Sequence, residues 1–223
     1  MNLKNSIQNQ EALNLIEKDM AYLSGAIHDG CLVKRKTTKR YDIQYYQKNS
    51  GWLRNSISNR LEKMKISTPI RGPWKNSYYL KFGNKWLYKE LEKRKEMMPE
   101  NNELQILFIR GFWDAEGSCP HVEKYLNGER KRGKIPPQIG FHQNGSKKLL
   151  EKVRSVLIKN GVNCSKIEGP FDRPVNKKPE YRFFIYSVGR IRKFLEIVQP
   201  EHPEKKKRLV LLLGNVNPSN RKL

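Results

Sequence analysis

Apolar residues recur at helical spacing in two stretches of the chain. Leu53, Ile57, Leu61 and Met64 line one face of residues 52–64, and Leu149, Leu150, Val153, Val156 and Leu157 line one face of residues 147–160. Each predicted helix follows a segment that alternates with period two. Ile43 and Tyr45 fall on one side of residues 41–47, with Asp42 and Gln44 on the other; Ile139 and Phe141 oppose Gln138 and Gly140 in residues 135–143. A further strand-like run precedes each of these, at 31–36 and 119–126. The connections are the basic turn Thr37-Thr38-Lys39 and a longer turn opening with Asn127-Gly128, a hairpin dipeptide. Each ribbon therefore has a core face and a polar face. Downstream, short strand pairs and helices are predicted around 78–82 and 85–95, then 181–186 and 190–198, and a last helix over 205–213 follows Pro203.

The order of elements occurs twice, as two αββαββα units, which makes the fold α+β with an antiparallel sheet in each unit. The breaker and cap cluster Met98-Pro99-Glu100-Asn101-Asn102 marks the joint, giving units 1–98 and 99–223. Each unit opens with an apolar helix-like run that ends in an acid and a glycine: residues 21–30 close on Asp29-Gly30, and residues 108–117 close on Glu116-Gly117. A glutamine, Gln47 or Gln143, closes the second strand of each unit.

An acid at a helix C-terminus faces the negative end of the macrodipole, at a cost of a few tenths of a kcal/mol to about 1 kcal/mol. Gly30 and Gly117 are expected to stop the helices in the left-handed conformation. Two such helices packed side by side would bring Asp29 and Glu116 to one end, where the carboxylates repel unless a cation lies between them. Oxygen ligands suit Mg²⁺. The small residues Ser24, Gly25, Ala26, Gly111 and Ala115 would let the helices approach closely.

Charge sharpens this. Lys and Arg number 45 against 22 Asp and Glu, a formal +23 that calls for a polyanionic partner, nucleic acid before membrane. A hydrophobic content of 37% with 10% aromatics excludes a disordered basic tail. The 3 cysteines lack C-x-x-C spacing, which argues against a disulfide scaffold and structural zinc and for reduced thiols inside a cell. The longest apolar stretch, 209–213, is too short for a bilayer, and the N-terminus has no signal-peptide core, so no membrane partner is expected. His28, His121, His142 and His202 are not spaced as metal ligands or as an HNH-type nuclease. An RNA-coating protein fits the charge but not the repeated acid-ended helix.

These residues resemble a LAGLIDADG homing endonuclease with both repeats in one chain. Ile109-Arg-Gly-Phe-Trp-Asp-Ala-Glu-Gly117 fits the nine-residue motif, with glycine third, acid eighth and glycine ninth. In Tyr22-Leu-Ser-Gly-Ala-Ile-His-Asp-Gly30, Ser24 holds the third place, Gly25 lies one later and His28 stands where a small residue packs, so this helix is expected to pack in a shifted register. The resemblance implies metal-dependent cleavage of double-stranded DNA, staggered across the minor groove with short 3′ overhangs. It implies that Asp29 and Glu116, with the main-chain carbonyls of His28 and Ala115, hold Mg²⁺ or Mn²⁺, each acid serving one strand. Gln47 and Gln143 match positions that orient solvent near the scissile phosphate. Lys81 is the candidate basic residue, with Tyr186 as its counterpart in the second copy.

Recognition falls to the polar faces of the ribbons, since a two-stranded ribbon fits the major groove. The candidates are Val33, Arg35, Thr37, Lys39, Arg40 and Gln44 in the first copy, and Lys124, Arg130, Arg132, Lys134, Gln138 and His142 in the second. With roughly ten residues per strand, the two ribbons would read on the order of twenty base pairs. Lys147, Lys148 and residues 205–208 are expected on phosphates. The expected partner is double-stranded DNA, with a host intron RNA as the second candidate, and the expected state is a monomer in the cytoplasm or an organelle matrix. The alternatives are an RNA maturase and a non-cleaving DNA-binding protein on the same fold.

Overall fold

Asn49, Asn84 and Ser146 each end an extended segment and start a helix. Their side-chain oxygens accept from the backbone N–H of Trp52, Leu87 and Leu149 at 2.9, 2.9 and 3.4 Å, satisfying donors that the first helical turn leaves open. In the computed structural model, which describes residues 3–126, 135, 137–171 and 178–215, these caps separate sheet from helix in both halves of the chain.

The first compact unit runs to Ala115. It contains α1 (Leu3–Ala26), a 3₁₀ turn (Ile27–Asp29), β1 (Gly30–Arg35), β2 (Arg40–Gln47), α2 (Ser50–Trp52), a π-helical stretch (Leu53–Ser58), α3 (Asn59–Lys63), β3 (Ile70–Trp74), β4 (Ser77–Gly83), α4 (Lys85–Arg94) and α5 (Asn102–Glu116) up to its penultimate residue. The segment from α2 through α3 is unbroken and realises the helix expected at 52–64. The sheet is antiparallel in the order β1-β2-β4-β3. Its register sets Gly30, Tyr45 and Leu80 in one row and Cys31, Gln44 and Lys81 in the next, so the alternation seen in the sequence becomes two faces. Ile43, Tyr45 and Leu80 are fully buried with Leu23, Trp52, Leu53, Ile57, Leu61, Leu87 and Leu91 from the helices. At about 1.5–3 kcal/mol for each large apolar side chain, this core fixes which face points outward.

The joint is expected at 98/99 from the sequence, whereas the first compact unit reaches Ala115 because α5 packs on α1 in backbone contact. A Cβ on Gly25 would lie 2.0 Å from the Phe108 carbonyl oxygen, and one on Gly111 would lie 2.1 Å from that of Tyr22. Glycine at the crossing thus holds the third motif position in α5 but the fourth in α1, the shifted register expected. The first motif finishes in the 3₁₀ turn rather than in α-helix.

The second unit comprises α6 (Val122–Leu126), β5 (Gln138–Asn144), α7 (Lys147–Lys159), β6 (Glu168–Phe171), β7 (Glu180–Tyr186), α8 (Val188–Val198) and α9 (Pro203–Asn215). Its sheet, among the described residues, has the order β5-β7-β6. Helices α7 and α8 pack on β5 and β7. Phe141 and Phe183 stack at 4.7 Å between ring centres, with Ile139, Leu150, Val153, Leu157, Ile185 and Phe194 buried around them.

Two expectations fail. Residues 119–126 do not form a strand: a single bridge joins Ser118 to Gly140, and the chain then turns into α6. Pro120 has no N–H for a ladder, and its carbonyl accepts from Val122 N at 2.9 Å, which starts the turn. Gly30 is not left-handed: it is extended at φ −148° and ψ −163°, and Gly117 does not have a positive φ either. What demands glycine at position 30 is space, since a Cβ would lie 2.2 Å from the Gln44 carbonyl oxygen. The turn at Asn127-Gly128 lies outside the described residues.

One repeated motif escaped the sequence reading. Ile70-Arg71-Gly72-Pro73-Trp74 and Ile167-Glu168-Gly169-Pro170-Phe171 both have a cis Gly–Pro bond and a glycine at φ +113° or +115°. Both break register against the neighbouring strand.

Candidate metal and nucleic-acid site

Asp29 is placed by two features. The 3₁₀ turn carries it off the end of α1, and the register that sets Gly30 opposite Tyr45 brings it level with the end of β2. There Gln47 Nε2 donates to Asp29 Oδ2 at 2.8 Å, while Gln47 Oε1 accepts from Lys48 N at 2.8 Å, so the amide has one orientation. The preceding His28 turns its ring inward. Its Nε2 lies 2.9 Å from the Lys95 carbonyl, which can only accept, so that nitrogen carries the proton. The ring meets the edge of Phe112 at 5.0 Å, and burial pushes the imidazole pKa down.

Beside this, Trp52 Nε1 donates to the Tyr22 hydroxyl at 2.9 Å, and Tyr22 donates to Asp114 Oδ2 at 2.8 Å. Asp114 is wholly buried. This carboxylate, at the sixth motif position, was missed in the sequence, where an acid inside an apolar helix gives no sign of its partner.

In the second unit Glu116, the last residue of α5, is partly buried. Burial raises its pKa, and the charge of Lys205 on α9 acts against that shift. Gln143 is buried on β5 opposite Tyr181, as Gln47 stands opposite Tyr78. The two ladders therefore align, and the row Cys31, Gln44, Lys81 corresponds to Ser118, Gly140, Phe184. Tyr186 pairs with Gln138 instead, so the expected counterpart of Lys81 is corrected to Phe184. Lys81 lies near the Cys31 thiol, which burial pushes up and the lysine charge pulls down. Lys205, expected on phosphate, acts on Glu116.

On the polar face of the first ribbon, Arg35, Thr37, Lys39 and Arg40 are exposed and Val33 is half-buried. Arg35 Nε stands 3.1 Å from Asp42, buried between Arg35 and Arg40. Gln44 is only 7% exposed and accepts from the Tyr46 hydroxyl, so it is covered rather than presented. In the second unit Gln138 and His142 are half-buried on β5, and Lys124 is exposed on α6 rather than on a strand. Arg130, Arg132 and Lys134 lie outside the described residues. Lys147 and Lys148 are exposed at the start of α7, as are Lys206 and Lys207 on α9.

No group of three His, Cys, Asp or Glu side chains converges among the described residues. Each motif ends on one carboxylate, Asp29 or Glu116, with main-chain carbonyls beside it, while Asp114 is buried and bonded to Tyr22. An all-oxygen set this sparse fits Mg²⁺ or Mn²⁺ completed by water and substrate phosphate, and does not fit structural zinc. The desolvated Glu116 carboxylate fits the same requirement, because a nearby cation restores its charged form. No described helix is long and apolar enough to cross a membrane.

Residues 103–199 match the model of a LAGLIDADG-like domain. The homing endonuclease I-ApeI of Aeropyrum pernix is 26% identical, over 91% of this chain and 90% of its own. The homing endonuclease I-DmoI, solved with DNA and Mn, superposes with a TM-score of 0.61 at 23% identity, covering 84% of this chain and 99% of that one. The N-terminal LAGLIDADG domain of DUF199/WhiA superposes with a TM-score of 0.56 at 16% identity, covering 85% and 86%. The family model covers the second motif, so residues 103–199 are similar to a LAGLIDADG-like domain, and the longer alignments, in agreement with the duplicated ladders, show the fold of I-DmoI over most of the chain.

Proposed function

We propose that this protein is a site-specific double-stranded DNA endonuclease that hydrolyses one phosphodiester bond in each strand with Mg²⁺ or Mn²⁺. The observation that carries the reading is Asp29 at the exit of the motif helix with its Oδ2 held by Gln47. A carboxylate oriented by a second side chain is how a protein presents a metal ligand. The relatives named as homing endonucleases, one of them solved with DNA and Mn, support the same reaction.

Asp29 and Glu116, with the carbonyls of His28 and Ala115, would hold the cations, one acid serving each strand. A bound divalent ion would supply an activated water and charge stabilisation at the phosphate. Gln47 fixes the Asp29 carboxylate, Gln143 takes the matching place, Lys205 supplies positive charge at Glu116, and Lys81 supplies it beside Cys31, two residues beyond Asp29. Both acids come from one chain, so a monomer suffices. Exposed Arg35, Thr37, Lys39 and Arg40 would face DNA. The eight residues of β2 span about 26 Å, roughly eight base pairs, somewhat less than the ten expected per ribbon.

The test is incubation of a randomised duplex library with Mg²⁺, beside an EDTA control and an Asp29→Asn, Glu116→Gln double variant. Discrete cuts with short 3′ overhangs, lost in both controls, are expected. Tight binding by folded protein without cutting would overturn the reading and favour a maturase or a DNA-binding protein on this fold.

A further inference from the structure

In the second unit three side chains form a continuous hydrogen-bonded chain. Ser118 Oγ lies 2.8 Å from His142 Nε2, and His142 Nδ1 lies 3.0 Å from Glu180 Oε1. Glu180 is 7% exposed. With a carboxylate as acceptor, Nδ1 carries the proton, and in the neutral ring Nε2 accepts from the Ser118 hydroxyl. Both ring nitrogens of His142, expected to face DNA, are thereby engaged inside the protein. The chain depends on Gly140: a Cβ there would lie 2.6 Å from Ser118 Oγ and 2.9 Å from His142 Nε2. Ser118 and Gly140 also exchange two backbone hydrogen bonds, each of 2.9 Å.

The equivalent row of the first unit is built differently. There the places of Ser118, Gly140 and His142 belong to Cys31, Gln44 and Tyr46, and the Gln44 side chain fills the middle position and accepts from Tyr46. The residue two places after Asp29 sits in a strand of six residue pairs. Two places after Glu116, the described ladder is one bridge. A single bridge gives much less resistance to local opening than a strand, so the chain leaving α5 needs another tether.

We propose that Ser118, His142 and Glu180 are positioning residues for Glu116, peculiar to the second repeat. They pin the backbone two residues beyond the carboxylate to β5, and cleavage of the strand that Glu116 serves depends on them. The inference rests on the endonuclease reading above. Ser, His and Glu in this order also resemble a hydrolase triad, but the Ser118 N–H is spent on the Gly140 carbonyl and is not available to an oxyanion.

The test measures the two strand-cleavage rates separately on a duplex labelled on both strands, with the full chain. His142→Phe keeps ring volume and removes both hydrogen bonds, His142→Gln restores a donor and an acceptor, and Ser118→Ala leaves the buried Glu180 paired with His142. His142→Phe is expected to slow the strand that Glu116→Gln leaves uncut by about tenfold to a hundredfold, with nicked DNA accumulating. The other strand and metal-free DNA affinity stay unchanged, His142→Gln recovers most of the rate, and Ser118→Ala shows the same strand bias. Without DNA or metal, hydrogen exchange at the Ser118 and Gly140 amides should quicken in His142→Phe and recover in His142→Gln. Equal slowing of both strands, weaker DNA binding with unchanged rates, or unchanged exchange would each overturn the proposal. A wild-type protein that cuts neither strand overturns the endonuclease reading, and the proposal falls with it.

Discussion

The two units carry the same ladder around different side chains. In the first, Asp29 is followed directly by a six-residue strand and is held by Gln47, and the row behind it reads Cys31, Gln44, Lys81. In the second, Pro120 ends the ladder after one bridge, the row reads Ser118, Gly140, Phe184, and a lysine from a helix, Lys205, acts on the acid. The cis Gly–Pro bulges, the glutamine at the strand end and the acid-ended helix are common to both. Duplication thus preserves the backbone geometry that places an acid, and leaves the surrounding shell to diverge. Under the proposed function, the two sites can then differ in what limits them.

The acids break the comparison most severely. Asp29→Asn and Glu116→Gln should each cost about a thousandfold on one strand only, the several kcal/mol that metal stabilisation supplies. Strand-resolved cleavage assays check this.

The units also bury a histidine each, to different depths in energy. Burial pushes His28 down, and burial with Lys205 and Arg208 pushes His202 down to about 3. Both folded values lie below the unfolded value near 6.5, so the unfolded chain binds more protons in that interval and stability present above about pH 6.5 is lost as pH falls. Each histidine contributes a slope of at most about 1.4 kcal/mol per pH unit, and His202 keeps contributing down to about pH 3. His202→Asn retains an acceptor for Lys205 N and should flatten denaturant-unfolding free energy against pH below pH 6; an unchanged slope would refute the assignment.

Gln47→Ala should slow the Asp29-dependent strand by about tenfold and spare the other, as loss of a ligand-orienting hydrogen bond does. Arg35→Ala, at an exposed position braced by Asp42, gives the smallest effect. It should either relax one base preference or lower the salt slope of DNA binding by about one, which binding measurements at several salt concentrations distinguish.

Helical faces and the alternation of β2 and β5 were legible because burial enforces them: Leu53, Ile57 and Leu61, or Ile139 and Phe141, have one place to go. The place of Asp29 and Glu116 at the ends of the two motif segments was legible because an acid followed by glycine closes each apolar run. Strand-like residues after Cys119 misled because Pro120 outweighs the β propensity that follows it. The counterpart of Lys81 was misplaced by two residues, since only the hydrogen-bond ladder fixes register. Lys205, and the Tyr22–Asp114 and Ser118–His142–Glu180 contacts, join residues far apart in sequence, which no local pattern encodes. The repeated Ile-x-Gly-Pro-aromatic motif, by contrast, is a local pattern visible in the sequence, and its positive-φ glycine and bulge emerge only in the fold.

The most direct measurement is strand-resolved cleavage of a library-selected duplex by the single variants Asp29→Asn and Glu116→Gln in Mg²⁺. The expected result is a nick in opposite strands from the two variants. Loss of the same strand in both, or full double-strand cleavage by either, would contradict one acid serving each strand.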